Sequence, residues 1–587
     1  MSMHRTTRFL PSPRPASGPV RGTLALLGAA LMLAACGPAP SEPGAGPEAG
    51  RDADAARTQA PAVGSRSTDI RAEAIATHVR TLASDAFDGR QPGTPGERLT
   101  VDYLVDAFRA AGLAPGNQGR WTQSVPYVQI TPSGTPTLRI HGESEMFEPA
   151  IPEQFVIGSR TGREVVEVAD APLLFAGYGV VAPEQDWDDY AGIDAEGAAV
   201  VVLVNDPGFG SGEDNRFKGR EMTYYGRWTY KYEECARQRA AACLIVHEDV
   251  AAGYGFNVVQ TSFGQRAQFE LDRGADAPDK TPVVGWLSTD AARDLFGRAG
   301  QDFDALAASA AQPGFQAVAL GDLQLDARVE SVVERGESDN VLAVLPGRSR
   351  PDEWVLVSAH WDHLGSVENP DGGRDIYNGA IDNALGLAAM LEIARALQAG
   401  GGTERSVMFL AVTLEESGLI GSRHYVDNPV QPLRQAVANV NIDALLPVPA
   451  TRDVWIIGKG QSELDDIVRE QAASLDRVVA PNPEVEKGFY YRSDQFAFAQ
   501  AGVPGLFMGP GTDAVEGGRE VGEAALAATQ GRYHTPADEF GEDWVFDGIV
   551  ADTQLHYRVV RALADGRQWP RWRQDSEFHA AGEALGR

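Results

Sequence analysis

The sequence predicts an α/β fold: a mixed, mostly parallel sheet flanked by helices, with a second, β-rich domain inserted into it. In the second half of the chain, apolar runs of strand length alternate with helical patterns, and each run ends in a polar or ionisable cluster. Residues 168–320 differ, with strand patterns and many aromatic residues but no such cluster. The 587 residues also exceed one ordinary domain, which has roughly 100 to 200 residues.

The first of these runs, residues 354–360, is a short apolar stretch that ends at His360. Such a run is typical of a buried strand in a parallel sheet. Open α/β sheets carry their chemistry at the carboxyl ends of the strands, where His360 would lie. After a loop rich in Gly and Asp, Asp382 precedes apolar residues at helical spacing from Leu387 to Leu397. Asp382 is therefore predicted near a helix N-terminus, a position that suits a carboxylate.

Two further runs end in acids. Residues 406–412 lead into Glu415 and Glu416, and residues 436–442 end at Asp443. A single pair of adjacent acids is usually a solvated loop. Repetition at successive strand ends indicates a shared role, because a carboxylate at a buried strand end needs a counter-charge, and a metal ion supplies one.

Residues 533–538 have turn character and bring a second imidazole, that of His534. Nitrogen and carboxylate ligands of this kind suit two neighbouring divalent metals. Taken alone, such a site could act on phosphate esters as well as on peptides. The predicted metal ligands are His360, Asp382, Glu416, Asp443 and His534.

Five strings around these residues closely resemble, in order and approximate spacing, the zinc-dependent aminopeptidases of the M28 family. The strings are Ser358-Ala359-His360-Trp361-Asp362-His363-Leu364-Gly365, Gly379-Ala380-Ile381-Asp382-Asn383-Ala384-Leu385-Gly386, Glu415-Glu416-Ser417-Gly418, Asn441-Ile442-Asp443 and Tyr533-His534-Thr535-Pro536-Ala537-Asp538. The resemblance implies the zinc-peptidase fold and the hydrolysis of peptides. It departs from the family at Leu385, where a small Ser is usual, which affects the pocket shape and not the ligands.

The resemblance also implies how the metals are held. Asp382 would bridge two zinc ions; His360 and Asp443 would complete one, and Glu416 and His534 the other. Each metal would keep an open position for a shared water, as a catalytic site requires. This carboxylate-rich set would also accept cobalt or manganese, so zinc depends partly on the resemblance.

Further roles follow from the same resemblance. Glu415 is expected to be the general base that takes a proton from the water and passes one to the leaving amine. Asp362 is expected to fix the tautomer and orientation of the His360 imidazole. Tyr533 resembles a residue that helps to hold the oxyanion, and Arg492 resembles a substrate-binding residue.

Two other histidines have plainer interpretations. His363 has no place in the five-ligand set and is interpreted as a hydrogen-bonded structural histidine. His247 and Glu248 begin like the H-E-x-x-H zinc motif, but Ala251 replaces the second histidine. The sequence also contains no G-x-S-x-G or C-x-x-C pattern, so serine-hydrolase and structural-zinc functions lack support.

The N-terminus predicts export. Arginines precede the apolar stretch 22–35, which has the proportions of a signal peptide and is short for a membrane span. This stretch ends in Leu33-Ala34-Ala35-Cys36, which resembles a bacterial lipobox with Cys36 as the lipidated residue; the alternative is an ordinary signal peptide cleaved nearby. Residues 36–68 resemble a flexible linker. Gly37 does not resemble an inner-membrane retention signal, which favours the outer membrane, facing the periplasm; an extracellular location is the alternative.

Charge and cysteine content add further limits. The net charge is −31, and removal of residues 1–35 deletes four arginines and no acids, which leaves −35. Nucleic acid is therefore excluded as an expected partner, because phosphate contacts need clustered Lys and Arg.

Cys235 and Cys243 could pair in an oxidising compartment, but a helix-to-strand transition separates them, so two small buried thiols are favoured.

The opening segment and the insertion complete the predicted organisation. Thr94-Pro95-Gly96-Glu97 predicts a capping box and a helix that ends before Gly112. Residues 175–180 and 187–190 resemble the protease-associated (PA) domain that some M28 members carry. The predicted boundaries are a catalytic domain at 69–167 and 321–567, a PA insertion at 168–320 and a tail at 568–587.

Residues 224–230 are rich in aromatic side chains. They predict either an aromatic rim near the active-site mouth or a loop packed on its own domain. The insertion as a whole is expected to restrict access to short peptides.

The resulting functional prediction is a lipid-anchored di-zinc exopeptidase acting on peptides, and most favourably an aminopeptidase. The alternatives are a di-zinc carboxypeptidase or dipeptidase on the same scaffold, and a receptor-like homologue without catalysis. The complete ligand set and Glu415 argue against the receptor-like alternative.

Overall fold

The structure, a computed structural model, describes residues 68–143, 146–211, 216–264, 266–274, 279–369 and 372–586. The predicted leader and Cys36 lie outside the described residues, as does the predicted linker up to residue 67. Within the ranges described, no helix has both the length and the apolar character needed to cross a bilayer.

The helices share one naming scheme, in chain order. They are α1 (Ala72–Leu82), α2 (Pro95–Ala110), α3 (Pro207–Ser211), α4 (Trp228–Arg237), α5 (Asp249–Ala252), α6 (Phe256–Ser262), α7 (Thr289–Arg298), α8 (Phe303–Ala310), α9 (Leu385–Ala399), α10 (Ile420–Asp427), α11 (Leu464–Ala473), α12 (Gln495–Gln500), α13 (Gly518–Gln530), α14 (Phe546–Asp565) and α15 (His579–Ala584).

The strands are named in the same way. They are β1 (Ala114–Pro115), β2 (Thr122–Pro132), β3 (Thr137–His141), β4 (Met146–Phe147), β5 (Phe155–Gly158), β6 (Val165–Phe175), β7 (Val181–Ala182), β8 (Trp187–Asp188), β9 (Ala199–Leu203), β10 (Ala242–His247), β11 (Gln268–Leu271), β12 (Val283–Ser288), β13 (Val318–Leu345), β14 (Arg350–His360), β15 (Ser366–Glu368), β16 (Arg374–Ile376), β17 (Arg405–Val412), β18 (Ala436–Asn441), β19 (Asp453–Ile457), β20 (Val478–Ala480) and β21 (Gly505–Pro510).

The strands that precede the predicted ligands form the centre of the main sheet. β17, β14, β18 and β21 lie side by side in this order, and all are parallel. On one side β13 and β2 continue the sheet in antiparallel pairing, and on the other side β19 pairs antiparallel with β21. The mixed sheet with a parallel centre agrees with the predicted fold class. It also brings the carboxyl ends of β14, β17 and β18 to one edge.

Helices cover both faces of the main sheet. On one face α9 lies in a core shared with α1, α2 and α14, and apolar residues on all sides of α9 are buried. This explains why the sequence of α9 is apolar almost all round. On the other face α10 and α12 pack on the sheet through Tyr425 and Phe498, whose ring centroids are 5.8 Å apart.

The long strand β13 connects the main sheet to a second sheet. Its first part, up to Glu330, pairs with β6 and β3, whereas from Ser331 onward it pairs with β2 and then β17. The second sheet also contains the parallel series β6, β9, β10 and β12. A separate apolar core lies between this sheet, α7 and α8.

The second sheet begins earlier in the chain than the predicted boundary at residue 168. β3 pairs with β13, and β5 pairs with β12, so the structural boundary lies between Pro132 and Thr137. Residue 168 falls inside β6, and the chain returns to the main sheet at about Ser331. Strand pairing between distant segments defines this boundary, and the local sequence pattern does not report it.

The opening helix α2 begins at Pro95 and ends before Gly112, as predicted. The predicted capping box is not formed. Thr94 Oγ1 donates to the carbonyl of Gln91, and Glu97 Oε2 accepts the backbone N–H of Gly93 instead of that of Thr94. The Thr94 hydroxyl and the Glu97 carboxylate therefore both bond to the turn before the helix and not to the helix N-terminus.

Cys235 and Cys243 form a disulfide, so the prediction of two separate thiols is wrong. Between them, α4 ends and the chain reverses through Arg239, which has a left-handed φ of 56°. This reversal brings the two Cα atoms to 6.1 Å, within the range of a disulfide. The helix-to-strand transition had been taken to separate the cysteines, whereas the tight turn brings them together.

The C-terminal tail packs on the body. The Trp572 side chain is buried, and its Nε1 donates to the carbonyl of Gly502 at 3.0 Å. Phe578 lies 5.0 Å from Trp572, and the guanidinium of Arg405 lies 5.4 Å from the ring of Trp569. Residues after 567 therefore extend the catalytic body.

The aromatic segment 224–230 takes part in the contact between the insertion and the body. The ring of Tyr224 lies 6.3 Å from Tyr491 and 5.1 Å from Phe496, both of the body. Tyr230, in contrast, packs in the core of the insertion. The segment therefore packs partly on its own domain and partly across to α12 and the loop that precedes it.

Candidate metal centre

The first group of predicted ligands meets at the end of β14. His360, the last residue of this strand, places its Nε2 atom 3.1 Å from Oδ1 of Asp382 and 3.0 Å from Oδ1 of Asp443. Asp443 follows β18, the parallel neighbour of β14. The three side chains therefore present one nitrogen and two oxygen atoms to a common point.

The second group lies on the other side of Asp382. Nε2 of His534 is 3.1 Å from Oδ2 of Asp382 and 3.0 Å from Oε2 of Glu416. Asp382 thus turns one carboxylate oxygen toward each group. The structure brings all five predicted ligands together, with Asp382 in the middle.

Asp538 holds the loop that carries Asp382. Its two carboxylate oxygens accept the backbone N–H groups of Ile381 and Asp382 at 2.9 and 3.1 Å. Asp538 lies four residues after His534 in the same turn, so one segment supplies a candidate ligand and also supports another. Asp538 belongs to the motif of residues 533–538, but the motif predicted no role for it.

Arg90 supports the same loops from the opening segment and was missed by the sequence analysis. Its side chain is fully buried and donates only to backbone carbonyls. The acceptors are Leu82 at 2.9 Å, Trp361 at 2.9 Å, Asn378 at 2.6 Å, Gly379 at 2.9 Å and Asp382 at 3.3 Å. A single arginine therefore joins the loops after His360 and before α9.

Replacement of Arg90 by Met is expected to lower the free energy of unfolding by about 3 kcal/mol or more, because it leaves several buried carbonyls without donors. Urea denaturation monitored by circular dichroism measures the change. Arg98→Met, at an exposed position of α2, is the matched control and should leave the unfolding midpoint nearly unchanged. Equal midpoints for the Arg90 variant and the unmodified protein would contradict the proposed support.

The carboxylate of Asp362 has a different position from the predicted one. His360 Nδ1 contacts the backbone carbonyl of Asp362 at 3.0 Å, whereas the nearest carboxylate oxygen is 3.9 Å away. That carboxylate instead accepts the backbone N–H groups of Glu415 at 3.0 Å and Glu416 at 3.3 Å. The chain turns after β14, so the carbonyl orients the imidazole and the carboxylate orients the two glutamates.

His363 lies closer to the centre than the sequence interpretation placed it. Its Nδ1 atom is 2.7 Å from Oε1 of Glu416, and its ring meets that of His534 edge-on at 5.6 Å. Ser493 has a comparable position on the other side, where its hydroxyl donates to Oδ2 of Asp443 at 2.5 Å. One carboxylate in each ligand group is thus held by a neighbouring side chain: Glu416 by His363, and Asp443 by Ser493.

Glu415 lies beside the first group and is buried. Burial, together with the nearby Asp443, Asp494 and Glu416 carboxylates, raises the pKa of Glu415 well above its usual range. Burial and Asp443 likewise raise the pKa of Asp494 to about 7. A carboxyl with a raised pKa is suited to accept and release a proton.

The electrostatics of the ligands show an excess of negative charge. Burial disfavours the charged form of His534, yet the Glu416 and Asp382 carboxylates raise its pKa to about 10. Burial would raise the pKa of Asp382, but hydrogen bonds from His360 and His534 hold it well below its usual range. The cluster therefore favours positive charge at its centre.

The donor set fits divalent metals. Each group combines imidazole nitrogen with carboxylate oxygen, ligands that zinc, cobalt and manganese accept. Asp382 lies between the two groups, with one carboxylate oxygen facing each. A cation in each group would offset the charge of carboxylates that are otherwise buried together.

The two remaining predicted residues lie at the edge of the centre. The ring of Tyr533 stacks on that of His534 at 3.8 Å and is 64% exposed. The guanidinium of Arg492 lies 5.4 Å from the ring of Phe489, and the next residue, Ser493, contacts Asp443. Both border the ligand groups, and neither belongs to them.

Comparison with known proteins gives relatives over much of this chain. The "Probable lipoprotein aminopeptidase LpqL" of Mycobacterium tuberculosis is 26% identical over 462 residues, which cover 75% of this chain and 74% of that protein. The "Probable glutamate carboxypeptidase LAMP1" of Arabidopsis thaliana is 26% identical over 260 residues, 42% of this chain and 34% of that protein. This chain thus spans about three quarters of the first relative and about a third of the second.

Among solved structures, an aminopeptidase from Aneurinibacillus sp. strain AM-1 aligns with a TM-score of 0.48 at 18% sequence identity, covering 86% of this chain and 97% of that chain. The model for "Peptidase family M28" matches residues 340–557, which contain β14, β17, β18 and all five predicted ligands. Residues 340–557 of this chain thus form a domain of peptidase family M28.

Proposed function

We propose that this protein is a di-zinc exopeptidase that removes N-terminal residues from peptides. The observation that carries the proposal is the bridging position of Asp382, with His360 and Asp443 on one side and Glu416 and His534 on the other. The relative named as an aminopeptidase supports the choice of substrate.

When bound, zinc supplies a positive charge that polarises the scissile carbonyl and lowers the pKa of a water molecule toward neutrality. Glu415 takes the proton of the attacking water at its carboxylate and later donates it to the nitrogen of the leaving group. The backbone N–H of Glu415 is held by Asp362, which fixes where this carboxylate lies. Tyr533, exposed above His534, is placed to donate its hydroxyl to the oxyanion.

A panel of substrates tests the proposal. An aminopeptidase hydrolyses an aminoacyl p-nitroanilide and not an N-blocked dipeptide, and a chelator should abolish the activity. Zinc, cobalt and manganese added back separately identify the preferred metal. Cleavage of the N-blocked dipeptide alone would favour the carboxypeptidase alternative, which the Arabidopsis relative represents. Chelator-insensitive hydrolysis, or none at all, would contradict both.

The insertion is proposed to be a PA domain that limits access to the centre. Its placement supports this, because the backbone N–H of Met222 donates to the carbonyl of Val485 at 3.2 Å, and Tyr224 packs on Tyr491. These contacts hold the insertion against the loop that leads to Arg492.

Export and a lipid anchor on Cys36 are also proposed, at the periplasmic face of the outer membrane. The lipobox-like sequence supports this, and the Mycobacterium relative is named a lipoprotein. Labelled palmitate should enter the protein in growing cells, and Cys36→Ser should remove the label. Equal labelling of both forms would contradict the assignment.

A further inference from the structure

The C-terminal tail places one carboxylate between three segments of the chain. Oε1 of Glu577 accepts the hydroxyl of Tyr491 at 2.5 Å and the side-chain amide of Gln461 at 2.9 Å. Oε2 of the same residue accepts the backbone N–H of Tyr224 at 3.1 Å. This carboxylate therefore joins the tail both to the insertion and to the loop that precedes α12.

The tail around Glu577 is itself fixed on the body. The Ser576 hydroxyl donates to Oε1 of Gln461 at 2.7 Å, and the backbone N–H of Arg573 donates to the carbonyl of Gln461 at 2.9 Å. The buried ring of Phe578 lies 6.2 Å from that of Phe496 in α12. Because these contacts lie on both sides of Glu577 in the chain, they fix where its carboxylate lies.

The loop 489–494 connects this carboxylate to the candidate metal centre. Tyr491 is buried, and burial together with Glu577 raises its pKa well above the usual range, so its hydroxyl keeps the proton that it donates. Two residues later, Ser493 donates to Oδ2 of Asp443 at 2.5 Å and accepts the Nδ2 amide of Asn441 at 2.7 Å. One short loop is therefore bound to the tail at Tyr491 and to a candidate metal ligand at Ser493.

The chemistry of Glu577 suits this position. An ionised carboxylate accepts hydrogen bonds at both oxygens and donates none, which matches the three donors that face it. Without it the buried Tyr491 hydroxyl would lose its acceptor, and a buried donor without an acceptor is costly. An amide at this position would offer a single oxygen, so at least one of the three donors would face another N–H.

We propose that Glu577 is a positioning residue for the metal centre and for the insertion. Through Tyr491 it fixes the loop whose Ser493 orients Asp443, and through Tyr224 it holds the insertion against the same loop. Side chains that orient a metal ligand also tune how tightly the metal is held. The inference rests on the proposed di-zinc function, and it adds that the C-terminal tail helps to set the zinc affinity of the first ligand group.

Zinc titration of the metal-stripped full chain, in competition with a zinc-binding dye, tests the contact with Tyr491. Ser493→Ala is expected to weaken the binding of one zinc ion about tenfold or more, as is typical of groups that orient a ligand. Glu577→Ala acts one contact further out and should weaken the same ion about threefold to tenfold. Tyr491→Phe, which removes the hydroxyl alone, should reproduce most of this loss, and Glu577→Gln should lose less than Glu577→Ala.

A double variant identifies the route. In the Ser493→Ala background, Glu577→Ala should cause no further loss of zinc affinity, because the side chain through which it acts has been removed. Excess zinc should restore most of the kcat/KM that Glu577→Ala loses with an aminoacyl p-nitroanilide, which a general loss of stability would not allow. Asp575→Asn, at an exposed position of the tail, is the matched control and should keep both zinc affinity and activity.

Hydrogen–deuterium exchange tests the contact with the insertion. The backbone amides of residues 222–228 should exchange faster in Glu577→Ala, because the N–H of Tyr224 loses its acceptor. Tyr491→Phe leaves that acceptor in place and should not change the exchange of this segment. Equal exchange in Glu577→Ala and in the unmodified protein would overturn the proposed hold on the insertion.

The outcomes separate this inference from the proposed function. Unchanged zinc affinity in Glu577→Ala would overturn the role at the metal centre, even if the variant unfolds at a lower temperature. Losses that add in full in the double variant would overturn the route through Ser493. If Glu577→Ala does not fold, Tyr491→Phe decides the same question, because it removes a single hydroxyl.

Absence of peptide hydrolysis by the zinc-loaded, unmodified protein would overturn the proposed function instead. The zinc titrations and the exchange measurements require no turnover, so they would still decide whether Glu577 positions the loop and the insertion.

Discussion

Replacement of Glu415 by Gln is expected to lower kcat by about 10³-fold or more while the protein keeps about two metal ions per chain, because general acid–base groups typically contribute 10² to 10⁴ in rate. Gln has nearly the same shape but cannot take the proton from water. Glu415 lies near His360 and Glu416 but is outside the two proposed ligand groups, so its loss should not release metal. Steady-state kinetics with an aminoacyl p-nitroanilide and elemental analysis of the same preparation measure the two quantities.

Glu520→Gln, at an exposed position of α13, is the matched control and should retain full activity and metal. Loss of one metal from the Glu415 variant would show that Glu415 is a ligand, and that the roles of Glu415 and Glu416 are reversed. Unchanged kcat would show that another group moves the proton, and Asp494, with its raised pKa, would be the first to examine.

Replacement of Asp382 by Ala is expected to reduce both metal content and activity to near the detection limit. Its two carboxylate oxygens face different ligand groups, at 3.1 Å from His360 and 3.1 Å from His534, so one substitution removes a donor from each. A ligand shared between two metals has this consequence, whereas loss of a terminal ligand should weaken one metal more than the other. Elemental analysis after dialysis distinguishes the two cases.

His534→Ala serves as the comparison, because His534 belongs to one group, and the variant should keep close to one metal per chain. Asp102→Ala, at an exposed position of α2, is the control and should keep the metal content and activity of the unmodified protein. Retention of two tightly bound metals by the Asp382 variant would contradict the bridging position. It would then leave the carboxylates of Asp443 and Glu416 as the principal ligands.

Much of this protein follows from short-range patterns. The apolar runs that end at His360 and Asp443 predicted strands, and parallel strands in one sheet bring their carboxyl ends to a common edge. The helical spacing after Asp382 predicted α9, and Pro95 marked the start of α2. Such features are visible locally because secondary structure and burial impose a fixed period on the sequence.

Other features depend on contacts between segments far apart in the chain. Arg90 lies about 290 residues from the loop that it supports, and the partners of β3 and β5 place the start of the insertion. No local pattern distinguishes Arg90 from an exposed arginine. The Cys235–Cys243 disulfide depends on a tight reversal at Arg239 that the helix-to-strand pattern conceals.

The sequence by itself determined which residue types stand at the strand ends, and so the chemistry available to this protein. Only the tertiary structure decided how those groups face one another: the two oxygens of Asp382 toward separate groups, and the carboxylate of Asp362 toward backbone amides. The physical reason is that periodicity reports burial along one segment. Hydrogen bonds and charge pairs depend on distances between segments, which only the packed fold sets.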